Sequence, residues 1–142
     1  MPEASVSERE AYNELQAYSL ELRDSAFVHQ HVVDAWMLQH ANETTKPIGV
    51  AFALIGMYLH FEKGFSGKEV QRAHMAMVRR SKNWPRFPLP AGRGSMTAAD
   101  VMAAPPGSER HRAIEAWSSS AWRAWSESYE AVADLARRYG YG

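Results

Sequence analysis

The chain contains no cysteine, which removes disulfides, thiolate nucleophiles, iron-sulfur clusters and cysteine-bearing zinc motifs. Any bound metal would have to sit on histidine and carboxylate. Nor is there an excess of charge: sixteen Lys plus Arg against sixteen Asp plus Glu leave a formal net charge of zero, so nothing in the balance recruits nucleic acid or an anionic membrane surface. The longest apolar run, Ile48 to Leu59, spans twelve residues, too few for a bilayer core that takes about 20. Alternating strand patterns, internal repeats and low-complexity tracts are absent. The Ser118 to Ser120 run lacks a GxSxG elbow, so a serine nucleophile has no support. The polar opening MPEASVSERE is not a secretory signal, and a cytoplasmic location is expected.

What is present is a well-filled interior and a succession of helix signals. At 142 residues, with 46% apolar and 11% aromatic residues, the chain is long enough for one core and too apolar for disorder. Ser7 with Glu10 and Ser66 with Glu69 form capping boxes, in which each side chain accepts the other's backbone N–H. Asp24 or Ser25, Thr45 before Pro47, Thr97 with Asp100, and Ser108 mark further starts, and Gly64 a stop. These signals predict helices over about 8–22, 26–41, 47–63 and 67–80, then a short one after Thr97 and a long amphipathic one from Ser108. The segment from Asn83 to Ser95 has three prolines and two glycines and must be a loop. The expected fold is all-α, a four-helix-bundle-like single domain over 1–142, with a flexible N-terminus over 1–6, a loop over 83–96 and a long C-terminal amphipathic helix.

Five of the six histidines fall in the three most apolar helices. On a 100° wheel His31 and Asp34 are close enough to share a site, whereas His29 and His40 lie about 16 Å apart along the axis. Asp34, among Val, Val, Ala and Trp, requires a partner, for which Lys46, His31 or a metal are available. His31, His60 and His74 sit on three different helices, and their convergence would make a three-histidine centre with an open coordination position. Against this stands the ordinary reading, in which each histidine is structural and bonded to a carbonyl or carboxylate. Trp36, Tyr58, Phe61 and Trp84, near the candidate ligands in sequence, are expected to line a substrate pocket. His29, His40, Glu62, Gln71 and Lys46 complete the candidates, Glu62 first as a solvent-facing helix-end carboxylate.

The segments FVHQHVVDAWMLQH, KPIGVAFALIGMYLHFEKGFSGKEVQRAHM, WPRFPLP and MTAADVMAAPPGSERHRAIEAW resemble a family of small bacterial proteins known only as a domain of unknown function. The resemblance rests on His29, His31, Asp34, Lys46, Pro47, Val70, Gln71, His74 and Met75, and covers about Ala11 to Trp125. It implies a family and no activity. A looser architectural similarity, to DinB and YfiT type bundles, implies three histidines holding a divalent ion.

Three functions are then in view. The first is an enzyme acting on a small organic substrate through a divalent ion (Zn, Ni, Mn or Fe) held by His31, His60 and His74, with Asp34 and His31 as catalytic groups. The second discards the metal and uses His31 with Asp34 as an acid and base pair, in an isomerase, cyclase or lyase of secondary metabolism. The third is a non-catalytic binding or assembly module, in which one of Trp117, Trp122 and Trp125 stays uncovered for a partner or a second copy. No organic cofactor motif is present, and neither nucleic acid nor membrane is an expected partner.

Overall fold

A helix that is apolar on every side needs neighbours on every side, and helix two of this chain is of that kind. In the computed structural model, which describes residues 6–141, the elements are α1 (Val6–Glu21), α2 (His29–His40), α3 (Pro47–Lys63), α4 (Gly67–Val78), α5 (Ala98–Ala103), α6 (Ser108–Arg123), a 3-10 turn (Ser126–Ser128) and α7 (Tyr129–Arg138). No strand occurs among the described residues. Helix α2 lies at the centre, touching α1, α3, α4 and α6, while α5 bridges α1 and α6 and α7 covers α3. Val32, Ala35, Leu38, Leu54, Ile55, Met57, Leu59 and Val70 form the fully buried middle. The fold is thus all-α and bundle-like. None of the described helices is long and apolar enough to cross a membrane.

Some of the start and stop signals act where the sequence puts them, but α2, α3 and α6 are capped at Val28, Lys46 and Gly107 with no side-chain cap bond, rather than by Asp24 or Ser25, Thr45 and Ser108. Both boxes at Ser66/Glu69 and Thr97/Asp100 close reciprocally, and Pro47 occupies the first turn of α3. Helix α1 begins at Val6, so Ser7 lies inside its first turn rather than ahead of it; the rest of the expected flexible N-terminus, residues 1–5, falls outside the described residues. Helix α2 starts at His29, three residues later than expected, because Phe27 takes a left-handed φ of 53°. Asp24 is therefore not the N-cap, which is Val28; its Oδ2 instead accepts the Val28 N–H at 3.0 Å and closes the turn ahead of the helix.

The larger difference is in the terminal helix. One straight helix of some thirty residues would be about 45 Å long, more than a domain of this size can cover. The chain breaks after Arg123, so that α6 packs on α2 while α7 turns back onto α3. The break buries Trp125, whose Nε1–H donates to the Leu38 carbonyl at 3.0 Å. Trp117, Trp122 and Trp125 are at most 3% exposed, which corrects the expectation that one of them stays uncovered for a partner. Residues 83–96 form the irregular loop anticipated.

That loop is fixed from beneath by two buried polar side chains. Gln39 donates through Nε2 to the carbonyls of Arg93 (3.0 Å) and Met96 (2.7 Å), and its Oε1 accepts from Trp117 Nε1 at 2.6 Å. Arg93 donates back to the carbonyls of Leu38 and Pro90 and lies over the Trp125 ring. Replacing Gln39 by Leu leaves one buried donor and two acceptors without their Gln39 partner. With about 1–3 kcal/mol lost per orphaned group, Gln39→Leu is expected to destabilise by about 3 kcal/mol or more in urea unfolding monitored by tryptophan fluorescence. A change under about 1 kcal/mol would contradict this account.

Candidate functional site

His60 is placed by the end of its helix. The chain reverses at Gly64, which takes a left-handed φ of 73° that suits glycine, and the Phe65 N–H bonds back to Leu59 O at 3.0 Å. The reversal brings the Phe65 carbonyl to 2.8 Å from His60 Nδ1. On its other side, His60 Nε2 lies 2.6 and 2.8 Å from the two carboxylate oxygens of Glu115 on α6. Both ring nitrogens therefore face oxygen acceptors, and only the imidazolium can donate to both. Burial works against that charge, but the Glu115 hydrogen bond, the Phe65 carbonyl and the Glu115 charge outweigh it and raise the pKa of His60. Glu115 shows the matching shift: its bond to His60 lowers its pKa in spite of partial burial.

His31 stacks on this ring, with centroids 3.9 Å apart and planes 28° from parallel. It is 5% exposed, and its Nδ1 is buried with no hydrogen-bond partner. Burial first, and the His60 charge second, push its pKa down to about 4 against the opposite pull of Glu115 and Asp24. Two stacked imidazoles are thus held in opposite protonation states. They open on a cleft of about 250 Å³ whose walls also include Asp24, Val28, Ser66, His111, Ile114 and Glu115. A second buried atom without a partner, Asp24 Oδ1, belongs to one of these lining residues.

One wall of the cleft depends on Gly67. A Cβ there would stand 1.9 Å from the Phe27 carbonyl oxygen, a backbone atom that cannot swing aside. With glycine, the start of α4 docks directly on the turn before α2, and the Lys68 N–H donates to the Ala26 carbonyl at 2.8 Å.

Other expected site residues go elsewhere. His74 Nε2–H donates to the Phe52 carbonyl, 2.7 Å away, and the ring stacks on the Phe52 ring. This is the structural role, and its pKa, lowered by burial to about 4, keeps it neutral. His31, His60 and His74 are therefore not gathered around one point. Among the described residues no group of three or more His, Asp or Glu is placed to hold a metal ion. With both His60 nitrogens and His74 Nε2 engaged by protein oxygens, these residues do not fit a three-histidine centre.

Asp34 does not bond His31 or Lys46. Its Oδ1 accepts from Gln30 Nε2 at 3.0 Å, its Oδ2 has no partner and packs against Gly56, and burial raises its pKa well above the carboxylate range. It is a neutral acid in the core, apart from the cleft, and Lys46 is exposed at the start of α3. Trp36 is stacked between Tyr12 and His40, at 4.1 and 3.7 Å, and Trp84 packs on Phe52 and Tyr139. Tyr58 is buried under Lys63, and Phe61 touches the His60 ring without lining the cleft. His29 Nδ1 pairs with Ser19 Oγ at 2.8 Å. Glu62 is exposed, and Gln71 accepts from Lys68 Nζ. The expected aromatic substrate wall is thus spread over other surfaces, and Ala26, Val28 and Ile114 supply the apolar lining instead.

Sequence reasoning passed over Asp24, read only as a cap, and over His111 and Glu115. Their signal was available: a four-residue spacing places both on one face of α6.

The opposed shifts have a measurable consequence. His31 and His74 bind protons less readily folded than at the ordinary 6.5, so their contribution to stability is present above pH 6.5 and lost as pH falls toward about 4. His60, raised, contributes below 6.5 and loses that contribution as pH climbs through its folded value. Ring-resonance NMR is expected to give His31 a midpoint near 4 and His60 one above 6.5; equal midpoints would refute the opposed pair.

Among curated proteins and solved structures, no match to this chain is found. The looser likeness to DinB and YfiT type bundles has no support in these comparisons. A family model does match, over residues 7–126. The chain belongs to DUF5946, a family of unknown function.

Proposed function

We propose that the cleft at His31, His60 and Glu115 is the acid and base site of an enzyme acting on a small organic substrate, of the isomerase or lyase type, with no resident metal. One observation carries this reading. Two imidazoles stack at 3.9 Å, one pushed toward its neutral form by burial and the other toward its charged form by Glu115 and the Phe65 carbonyl, and neighbouring titratable groups whose surroundings drive their pKa values apart mark the acid and base of a site.

In this reading His31, unprotonated at neutral pH, takes a proton from the substrate. The charge that then forms on it is favoured by the Glu115 and Asp24 carboxylates. The returning proton starts on His60 Nε2, where the Glu115 carboxylate that accepts it faces the cleft. Phe65 O keeps the His60 ring from rotating as the proton leaves. Asp34, assigned to catalysis from sequence, has no part in these steps.

The test is hydrogen exchange at carbon. Small hydroxy, oxo and amino compounds incubated with the protein in deuterated water are expected to include one whose C–H signal is lost in proton NMR. His31→Phe should reduce that rate at least about 100-fold, the usual scale of general acid–base catalysis, while EDTA leaves it unchanged. Loss of exchange with EDTA and its return with a divalent ion would instead favour the metal reading. Saturable binding without exchange or turnover of any compound would leave a binding module.

A further inference from the structure

The charge on the cleft walls is unbalanced. Asp24 and Glu115 are both carboxylates, and the imidazolium of His60 is already committed to Glu115 and Phe65 O. Asp24 spends one oxygen on the Val28 N–H and leaves Oδ1 buried with no donor. His31, 5% exposed, leaves Nδ1 in the same condition. Buried polar atoms are rarely left so, because each costs about 1–3 kcal/mol when unpaired. An anion entering here would meet two carboxylates. A ligand rich in N–H donors finds an acceptor in Asp24 Oδ1 and, in the Nε2–H tautomer, a second in His31 Nδ1, both covered in this structure and reached when their side chains turn toward the cleft. Beside them Ala26, Val28 and Ile114 offer an apolar patch. The space of about 250 Å³ equals roughly eight waters at about 30 Å³ each, enough for a short amine and too little for a nucleotide.

We propose that this cleft binds a small protonated amine with a short hydrocarbon body, its ammonium donating to Asp24 Oδ1 and its carbon chain lying on Val28 and Ile114. This rests on the cleft being the functional site, and it does not depend on catalysis there.

Three isosteric probes test it: isobutylamine, isobutanol and isobutyrate, titrated into the full chain near pH 8. There an alkylamine is still protonated and an ordinary imidazole is not. Isobutylamine is expected to shift the His31 ring resonances saturably, at least tenfold tighter than either other probe. Asp24→Asn, which keeps an acceptor for the Val28 N–H, should weaken the amine at least tenfold and leave isobutanol unchanged. Equal affinity for all three probes, tighter isobutyrate, or no response to the amine would overturn the proposal. Because the wild-type comparison alone decides the sign, a poorly folding variant does not remove the test. Amine binding without carbon exchange upholds the ligand class and defeats the acid and base reading. Exchange on an anionic compound, with no amine binding, does the reverse.

Discussion

The hydrogen bonds of Gln39 tie α2, α6 and the irregular loop together, beside those that Ser120 Oγ accepts from the Ser95 and Met96 N–H groups. Helix α2 is enclosed on all sides, so any polar side chain on it must find its partners inside the protein. At its C-terminal end Gln39 finds three, one on α6 and two in the irregular loop. Through them a proline-bearing segment with no helix or strand of its own acquires a fixed path. Arg93 then closes the same network from the loop side onto Leu38 O, which also takes the Trp125 indole. The position of α7 follows, since Trp125 marks the bend at which the chain turns toward α3.

The other end of α2 behaves differently. Asp34 has one partner for two oxygens, and His31 has an orphaned ring nitrogen. Unmet capacity is thus spread along α2: at the loop end Gln39 is fully satisfied while both ring nitrogens of its neighbour His40 are buried without a partner, and toward the other end Asp34 Oδ2 and His31 Nδ1 are left short. Asp34 resolves its deficit by staying protonated, which its burial against Gly56 favours. His31 resolves its own by staying neutral beside a charged neighbour. Of these groups only His31 belongs to the lining of the cleft; Asp34 and His40 lie apart from it.

Helix positions were legible because caps and periodicity are local: Ser66, Thr97, Pro47 and Gly64 act through residues within one turn of themselves. The break after Arg123 was not, because the apolar stripe from Ile114 to Leu135 continues through it in phase, and only the shape of the core forces the bend. His31, His60 and His74 were grouped as one set on three helices, of which only His31 and His60 meet, because a wheel cannot say which neighbour an inward face meets. Its partner, the Phe52 carbonyl, is a backbone atom that no side-chain pattern reveals. Glu115 lies fifty-five residues from His60, a separation at which only its spacing from His111 gave any hint. Asp34 was correctly read as buried and in need of a partner; that its need would be met by a proton and Gln30 depends on packing around Gly56.

The docking of α4 at Gly67 determines how the cleft can change its width. Because backbone meets backbone there, the turn at residues 24–28 and the first turn of α4 form one stiff wall with no side chain between them to act as a cushion. The opposite wall is made of His111 and Glu115, long exposed side chains on α6. Rotamer changes in such side chains take picoseconds to nanoseconds, while shifting packed helices takes microseconds or longer. Glu115 is held by its bonds to His60, so the part of the rim that can move quickly against the fixed edge is His111.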